Sequence, residues 1–426
     1  MLLRARTFAG SSGRRALGLL VALSMIVLGG ASLAQAGTST SPRPSNRTST
    51  SMKSHRTATA PVAVPQGFVG VDADGPLFAS GTTIDFSDQL SAMVASGVQS
   101  IRVAFNWASA QPYSTWADVP AAQRAQFTDV GGRPVDFQAT DMIVAAAARH
   151  RVSVLPTVLY APSWDATENP NGVDYPRAPA PYGAYLTALI GRYGPHGSFW
   201  RLNPSVPKLP IRSWQIWNEP NLSYYWKQPF AAGYVSLLRA AHAAIKRADP
   251  GAQVVLGALT NFAWKSIGQI YRIRGARNLF DAVAVNGFTL EPANVILYMR
   301  FMRSAMSHFG DGLKPLLATE ISWPSAKGRT QQSFTFDTTE AGQARDLATV
   351  LRLIGADRVS LRLAGFYYYT WIGEEATGDP AFNFAGLLAL HNGVVTAKPA
   401  LAAFRSGALA LERCRRKGAV ATSCIK

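Results

Sequence analysis

The chain has little cysteine or histidine. Two cysteines occur among 426 residues, and the six histidines form no His-x-His or His-x-x-x-His pair. Zinc sites in proteins use closely spaced Cys and His ligands, so the sequence gives no support for one. No glycine-rich phosphate loop followed by Lys-Ser or Lys-Thr is present either, and such a loop marks nucleotide-hydrolysing proteins. We therefore expect neither a metal site nor another cofactor.

Acidic residues are absent from the first 60 positions, which hold eight Arg and Lys residues. Without those eight, the formal charge of +17 falls to +9, and the remaining basic residues are dispersed apart from four between 413 and 417. A nucleic-acid-binding protein clusters its positive charge on one surface, so we expect no nucleic-acid partner. A dispersed basic surface would only steer the protein toward anionic cell-wall or polysaccharide partners.

The apolar run near the N-terminus, residues 16–28, has 13 residues, which is short of the about 20 that a membrane helix needs. It follows arginines at 4, 6, 14 and 15 and precedes the triplet Ala34–Gln35–Ala36. A basic region, an apolar run and a small-x-small site form an export signal; an uncleaved anchor is the alternative. We predict a signal peptide over 1–36, no stable membrane anchor after cleavage, and a secreted or extracellular protein, with cell-wall association left open.

The segments that flank the folded region are short. Residues 37–64 are rich in Ser, Thr and Pro and have no hydrophobic period, so they cannot bury enough apolar surface to offset the entropy lost on ordering. We predict a disordered linker there. In the C-terminal tail, 413–426, we expect Cys414 and Cys424 to form a disulfide, because export leads to an oxidising compartment. Two free thiols are the alternative.

Between 65 and 412, short apolar runs alternate with helical stretches. This alternation is typical of a parallel sheet, and eight units predict an α/β fold, a single-domain (β/α)8 TIM barrel with no residues left for a second domain. The predicted strands cover 68–71, 101–105, 152–159, 211–217, 253–259, 281–288, 316–320 and 363–371. The predicted helices cover 87–96, 137–150, 182–193, 230–248, 292–309, 339–354 and 399–411, with none between the fifth and sixth strands.

The fourth predicted strand ends in a carboxylate, within the stretch W-Q-I-W-N-E-P-N over 214–221. Its residues are β-branched and aromatic, and Pro220 cannot donate to a sheet ladder, so the strand stops there. Glu219 is thereby held at a strand end beside Asn218. Apolar surroundings raise the pKa of a carboxyl, which a general acid needs near neutral pH. A helix cap or surface salt bridge is the alternative for Glu219 taken alone.

The seventh strand repeats this form, as L-L-A-T-E-I-S-W-P over 316–324, with Glu320 lying 101 positions after Glu219. Parallel strands all point one way, so both carboxyls should lie on the same rim of the barrel. Two carboxyls that face each other across a cleft are the working groups of a glycoside hydrolase.

On these two motifs the sequence resembles the retaining glycoside hydrolases of clan A, and W-N-E-P-N is most similar to families 39 and 5. The resemblance implies a (β/α)8 barrel in which Glu219 is the acid/base and Glu320 the nucleophile. It also implies cleavage by double displacement with retention of anomeric configuration, for which the carboxyls lie about 5–5.5 Å apart.

The resemblance implies further roles. Arg102 would hold the nucleophile ionised, with a purely structural salt bridge as the alternative. Asn218 would bond the sugar 2-hydroxyl, and Trp371 would form the floor of the subsite where cleavage occurs. The chain departs from the families at strand six, where His-x-Tyr is replaced by Asn286–Gly287–Phe288. Phe288 has no hydroxyl to bond the nucleophile, and we take Asn286 as a candidate substrate contact.

Aromatic residues are frequent near the predicted strand ends. Sugar rings present C–H faces that pack on indoles and phenols, although core packing is the alternative for about half of these residues. Trp164 and Trp226 occupy predicted loops after strands, where barrel enzymes carry their function. We therefore predict that both contact substrate.

Together these features predict an exported, monomeric retaining β-glycoside hydrolase that acts on a polysaccharide or oligosaccharide. A carbohydrate-binding barrel without catalysis is an alternative, which the missing strand-six Tyr keeps open. A transglycosidase, in which a second sugar replaces water, is another. Loop shape decides the sugar, so the sequence leaves xylan, glucan, mannan, galactan and exopolysaccharide open.

The cleavage site of the predicted export signal can be tested directly. We expect the protein recovered from the culture medium of an expressing bacterium to begin at Gly37, because cleavage follows the small-x-small triplet 34–36. N-terminal sequencing or intact mass would read this directly. Recovery only in the membrane fraction with Met1 retained would contradict it.

Overall fold

The computed structural model describes residues 63–376 and 378–425. The predicted signal peptide 1–36 and the linker up to residue 62 lie outside the described residues. The last two residues of the predicted linker already contact the barrel: Val64 donates its backbone N–H to the Leu411 carbonyl at 3.1 Å, and Arg358 donates to the Ala63 carbonyl at 3.0 Å. The packed part of the chain therefore includes Ala63 and Val64.

Eight parallel strands close into a barrel, in which each strand pairs with its neighbours in chain order and β8 pairs with β1. This confirms the predicted (β/α)8 fold. The strands are β1 (Val69–Asp72), β2 (Ser100–Asn106), β3 (Ser153–Leu159), β4 (Ser213–Asn218), β5 (Gln253–Leu259), β6 (Ala282–Asn286), β7 (Leu316–Ile321) and β8 (Leu363–Tyr368).

A helix follows each strand. These helices are α1 (Phe86–Ala95), α2 (Gln138–Arg149), α3 (Pro179–Tyr193), α4 (Ala231–Ala248), α5 (Ala263–Tyr271), α6 (Pro292–His308), α7 (Glu340–Leu361) and α8 (Pro399–Glu412). The prediction missed α5, which is short and has no side-chain cap. It also ended α7 at 354, before Gly355. Gly355 lies inside the helix, where α8 packs so closely that a Cβ would lie 2.6 Å from the Leu411 side chain. The absence of a side chain is therefore what this packing requires.

The barrel interior changes character along the strands. Its centre is filled by one apolar cluster: Leu155, Val255, Ala258, Ala282, Ala284, Leu317 and Tyr367. At the carboxyl ends of the strands the buried residues become polar, with Asp72, Arg102, Asn218 and Glu320 each less than a tenth exposed. Buried charge is costly unless it is paired, so this change marks the end of the barrel that carries a site.

Smaller elements decorate the barrel. The segment 111–136 carries a hairpin of Thr128–Val130 and Arg133–Val135. In the tail, Cys414 and Cys424 are paired, with Cα atoms 5.7 Å apart, and the Ala421 N–H donates to the His150 carbonyl at 2.8 Å. Within the part of the chain that the structure describes, no helix has the length and apolar character to cross a bilayer.

We predict that the tail disulfide stabilises the barrel. The two cysteines are 10 positions apart, and closing a loop of that length in the unfolded chain stabilises the fold by about 2–3 kcal/mol. The double substitution Cys414→Ser with Cys424→Ser should therefore lower Tm by a few degrees in calorimetry. A reductant should lower the Tm of the parent but not of the double variant; equal Tm values for the two proteins would refute the prediction.

Candidate active site

Glu219 and Glu320 lie on the same rim of the barrel. Glu219 directly follows β4 and Glu320 is in β7. They are 7% and 8% exposed, and both line a single cavity of about 1060 Å³. The expectation from strand direction, that both carboxyls face one cleft, matches this geometry.

The backbone at the end of β4 takes an unusual conformation. Trp217 and Glu219 have φ values of +66° and +40°, in the left-handed region that L residues seldom adopt. Such residues cost about 1–3 kcal/mol each and persist only where their surroundings fix them. The Glu219 N–H donates to the Ala258 carbonyl at 2.9 Å, and the Trp217 indole donates to the Tyr225 carbonyl at 3.1 Å.

Arg102 is the hub of the site. Its Nη1 lies 2.5 Å from Asp72 Oδ1 and 2.7 Å from Glu320 Oε1. Its Nη2 donates to Asn218 Oδ1 at 2.9 Å, and its Nε donates to Gln215 Oε1 at 3.0 Å. Burial disfavours the charged guanidinium, but the Asp72 and Glu320 carboxylates raise the pKa of Arg102 above its ordinary value. The geometry matches the expected contact between Arg102 and the second carboxyl.

Asn286 holds the other glutamate. Its Nδ2 donates to Glu219 Oε1 at 2.8 Å, and its Oδ1 accepts from the Thr319 hydroxyl at 2.8 Å. Asn286 is also the register partner of Glu320 on the neighbouring β7, so this residue lies beside both glutamates. Asn286 is 1% exposed and does not line the cavity. In this structure the side chain positions Glu219, and its contact with substrate stays a prediction.

The two glutamates differ in electrostatic environment. Burial raises the pKa of Glu219 to about 8, and the nearby Glu320 charge adds to that increase. Burial also raises the pKa of Glu320, but the positive charge and hydrogen bond of Arg102 oppose it. Glu219 is thus the better proton donor near neutral pH, and Glu320 is the better candidate for the ionised partner.

Asn218 lines the cavity beside Glu219. Arg102 donates to its side-chain oxygen at 2.9 Å, which fixes the orientation of the amide. Tyr225 lines the same cavity, and burial raises the pKa of its phenol well above the ordinary range. An amide whose oxygen is held by a buried cation is suited to orient a ligand hydroxyl through its N–H groups.

Trp371 does not form the floor of the cavity. It is fully buried, and its indole donates to Gln89 Oε1 of α1 at 2.9 Å. The sequence prediction extended the strand to 371, whereas β8 ends at Tyr368, so the inward–outward alternation does not reach Trp371. Tyr369 lines the cavity instead.

Trp164 and Trp226 are not among the residues that line this cavity, and their contact with substrate stays a prediction. The Trp164 indole donates to the Gln111 carbonyl at 2.7 Å and packs edge-on against Trp107, 5.7 Å away. Trp226 is 5% exposed and stacks on Tyr175 with ring centroids 4.8 Å apart. Residues that are distant in the sequence thus hold both indoles in place within the loops.

Several lining residues were not predicted from the sequence. Asp72 ends β1, so the rule that found Glu219, a carboxylate at the end of a strand, would have found it too. Tyr225 belongs to the aromatic residues near the predicted strand ends, whereas Thr157 and Tyr369 carried no comparable signal. Phe288 lines the cavity, with its ring 5.7 Å from Phe336 and 5.0 Å from Phe382.

No metal centre is formed by the described residues, since no three His, Cys, Asp or Glu side chains among them are placed to hold an ion. The site contains two carboxyls, an amide that bonds one of them and a guanidinium that pairs with the other.

The chain matches no family model, and no curated protein is similar to it in the comparison made. Its structural neighbours are glycoside hydrolases. A GH39 enzyme from Xanthomonas axonopodis pv. citri is 20% identical, with a TM-score of 0.54 over 81% of this chain and 67% of that chain. A GH39 β-xylosidase from Caulobacter crescentus is 18% identical, with a TM-score of 0.56 over 82% and 72%. The GH53 catalytic domain from Ignisphaera aggregans is 20% identical, with a TM-score of 0.53 over 82% and 98%. The predicted resemblance to clan A hydrolases is confirmed at the level of the fold.

We predict that Glu219 titrates near pH 8 and that Glu320→Gln lowers its pKa, because the substitution removes a neighbouring negative charge. Carbon-13 NMR of glutamate-labelled protein across the pH range would measure both values. Glu291→Gln, at an exposed position, is the matched control and should leave the titration of Glu219 unchanged. An unchanged pKa in Glu320→Gln would show that the two carboxyls do not interact.

Proposed function

We propose that the protein is an exported β-glycosidase that cleaves O-glycosidic bonds with retention of configuration. The observation that carries this proposal is the pair of buried carboxyls on one cavity, of which one has a raised pKa and the other pairs with Arg102. Glycoside hydrolysis by retaining enzymes requires one carboxyl that donates a proton and a second that is ionised and attacks the sugar. The structural neighbours, named as GH39, GH51 and GH53 enzymes, support it.

The retaining course is supported by the positions of the two glutamates beside Asn286. Asn286 of β6 bonds Glu219 at 2.8 Å and is the register partner of Glu320 on the neighbouring β7. The two glutamates therefore lie on either side of one residue and line one cavity. Retaining enzymes need their carboxyls close together, at about 5–5.5 Å against about 6.5–9.5 Å in inverting ones, so this arrangement favours the retaining course.

The mechanism follows from these positions. Glu219 donates its proton to the leaving oxygen while a Glu320 oxygen forms a bond to the anomeric carbon, and the bond from that carbon to the leaving oxygen breaks. Glu219, now ionised, takes a proton from water, whose oxygen displaces Glu320 from the sugar. Arg102 stabilises the Glu320 carboxylate before and after this cycle. Asn218 is held in place to bond a sugar hydroxyl.

Export is part of the proposal and depends on the N-terminal sequence, where a basic region, an apolar run and Ala34–Gln35–Ala36 occur in order. A secreted glycosidase would meet polysaccharides or glycosides outside the cell. Among the neighbours, two are named as β-xylosidases and two as α-L-arabinofuranosidases, so a substrate panel should include pentosides as well as hexosides.

The roles of the two carboxyls are tested by substitution and azide rescue on aryl glycosides. Glu320→Ala should lose nearly all activity, and azide should restore turnover by forming the glycosyl azide of inverted configuration. Glu219→Ala should lose about 10²–10⁴-fold, most of all with poor leaving groups, and azide should give the retained azide. Glu340→Gln, an exposed carboxyl on α7, is the control and should keep parental activity.

Proton NMR of the products would identify the anomers. A first-formed hexose or pentose of inverted configuration from the parent would contradict the retaining assignment. If the parent releases no aglycone from any glycoside of the panel while carbohydrate still binds, the carbohydrate-binding alternative replaces the proposal.

A further inference from the structure

The cavity around the two glutamates has two sides of different chemistry. The strand ends and loops from β1 to β5 contribute mostly polar side chains to its lining: Asp72, Asp74, Arg102, Thr157, Tyr160, Asn218, Glu219, Asn221, Ser223, Tyr224, Tyr225, Gln228, Thr260 and Asn261, together with the apolar Val103, Leu159, Leu222 and Phe262. The strand ends and loops from β6 to β8 contribute four phenylalanines and Leu290, together with Asn294, Tyr298, Glu320, Tyr369 and two threonines. We call the first the polar side and the second, where phenyl rings cluster, the apolar side.

The four phenylalanines form one continuous surface, which we call the phenyl wall: Phe288, Phe334, Phe336 and Phe382. Phe334 and Phe336 stack with centroids 4.9 Å apart and 5° between their planes. Phe382 lies 4.8 Å from Phe334 and 5.0 Å from Phe288. A phenyl ring has no hydrogen-bonding atom, so the wall offers nothing to a sugar hydroxyl.

The wall faces the cavity although its loops have an apolar core of their own. Ala326, Ala381 and Phe384 form that core and are at most 1% exposed. Phe334 packs on it, yet Phe334, Phe288 and Phe382 remain half-buried while lining the cavity. Apolar surface that is left open and surrounded by polar residues marks a ligand-binding groove.

The polar side contains buried polar atoms that have no partner. Asp72 and Thr157 are each 4% exposed and line the cavity, and neither Asp72 Oδ2 nor Thr157 Oγ1 has a hydrogen-bond partner. Leaving a buried polar atom unbonded is costly. Water or a hydroxyl group would satisfy atoms of this kind, and the polar lining as a whole fits a sugar, whereas the apolar side fits an apolar group.

We propose that the substrate is an amphipathic glycoside, with its sugar on the polar side and an apolar alkyl, acyl or aryl aglycone on the phenyl wall. The inference rests on the proposed function and adds a substrate class to it. The orientation of the substrate in the cavity is inferred from β6, which leads into the phenyl wall: Asn286 bonds Glu219, and Phe288 follows two residues later. Since Glu219 protonates the leaving oxygen, the wall begins beside the leaving group.

A chain of sugars is the competing ligand, because the C–H faces of sugars also pack on aromatic rings. It would place hydroxyls against phenyl groups that cannot bond them. If the wall binds an alkyl aglycone, each added methylene should strengthen binding. If the cavity binds a chain of sugars instead, lengthening an alkyl aglycone should leave binding unchanged. Chain-length dependence therefore separates the two ligands.

The experiment uses methyl, butyl, hexyl and octyl β-D-glucopyranosides and β-D-xylopyranosides below micelle-forming concentrations. We expect kcat/KM to rise about two- to four-fold per methylene over part of the series. Phenyl and cyclohexyl glycosides separate an aryl preference from an alkyl one. A kcat/KM that is flat from methyl to octyl, with xylo- or gluco-oligosaccharides cleaved faster, would overturn the inference and leave the hydrolase intact.

Substitutions test whether the phenyl wall causes this dependence of kcat/KM on chain length. Phe382→Asn should lower the octyl-to-methyl ratio of kcat/KM by at least about tenfold, whereas Phe382→Leu should preserve most of it and guard against a folding defect. Phe127→Asn is the matched control: Phe127 is half-buried and packs on one ring, Tyr113, but lies outside the cavity lining. If Phe127→Asn lowers the ratio as much as Phe382→Asn, the wall is not the binding surface.

The sugar side is tested by Thr157→Val, which removes only the unpartnered hydroxyl. It should raise KM for methyl and octyl glycosides by the same factor and leave their ratio unchanged; a changed ratio would contradict the division of the cavity. If no glycoside is hydrolysed, calorimetry of methyl and octyl glycosides on the parent still decides. Binding that grows with chain length supports the wall while the proposed hydrolysis fails, and equal or absent binding of both overturns the inference.

Discussion

The site depends on one buried guanidinium. Arg102 of β2 bonds Asp72 of β1, Gln215 and Asn218 of β4, and Glu320 of β7. A buried cation is stable only where partners replace the water it has lost, and here those partners come from three other strands. The carboxyl ends of the barrel are thus connected through a polar network instead of an apolar core. Removing Arg102 would leave two buried carboxyls facing each other without a compensating charge.

Two glutamates of nearly equal burial acquire different properties from their partners. Glu320 is paired with the cation, while Glu219 receives a neutral amide from Asn286. An amide lowers a carboxyl pKa less than a full positive charge does, so burial dominates at Glu219 and raises its pKa to about 8. The left-handed backbone at Glu219, held by the hydrogen bond to Ala258, fixes the position of this carboxyl at the end of β4.

The barrel and the walls of the cavity are under different structural constraints. Barrels at 20% identity and below share the fold with this chain, and in this chain the strand ends hold the carboxyls and the cation. The lining beyond those positions comes from the loops, which place phenyl rings on one side of the glutamates and polar groups on the other. Loops tolerate change because few buried contacts constrain them. In the proposed hydrolase, the strands therefore supply the reacting groups and the loops select the substrate.

The sequence by itself determined what depends on local pattern. Strand–helix alternation predicted the barrel, and strand direction placed Glu219 and Glu320 on one rim, because period and direction are properties of neighbouring residues. The role of Arg102 was implied by the resemblance to clan A hydrolases. Only the tertiary structure decided which aromatic residues reach the cavity. Where β8 ends determined that Tyr369 faces it and Trp371 does not. Trp164 and Trp226 are held away by partners in other loops, and Asn286 contacts a carboxyl 67 positions earlier in the chain. Such contacts depend on how distant segments pack, and sequence periodicity carries no record of that packing.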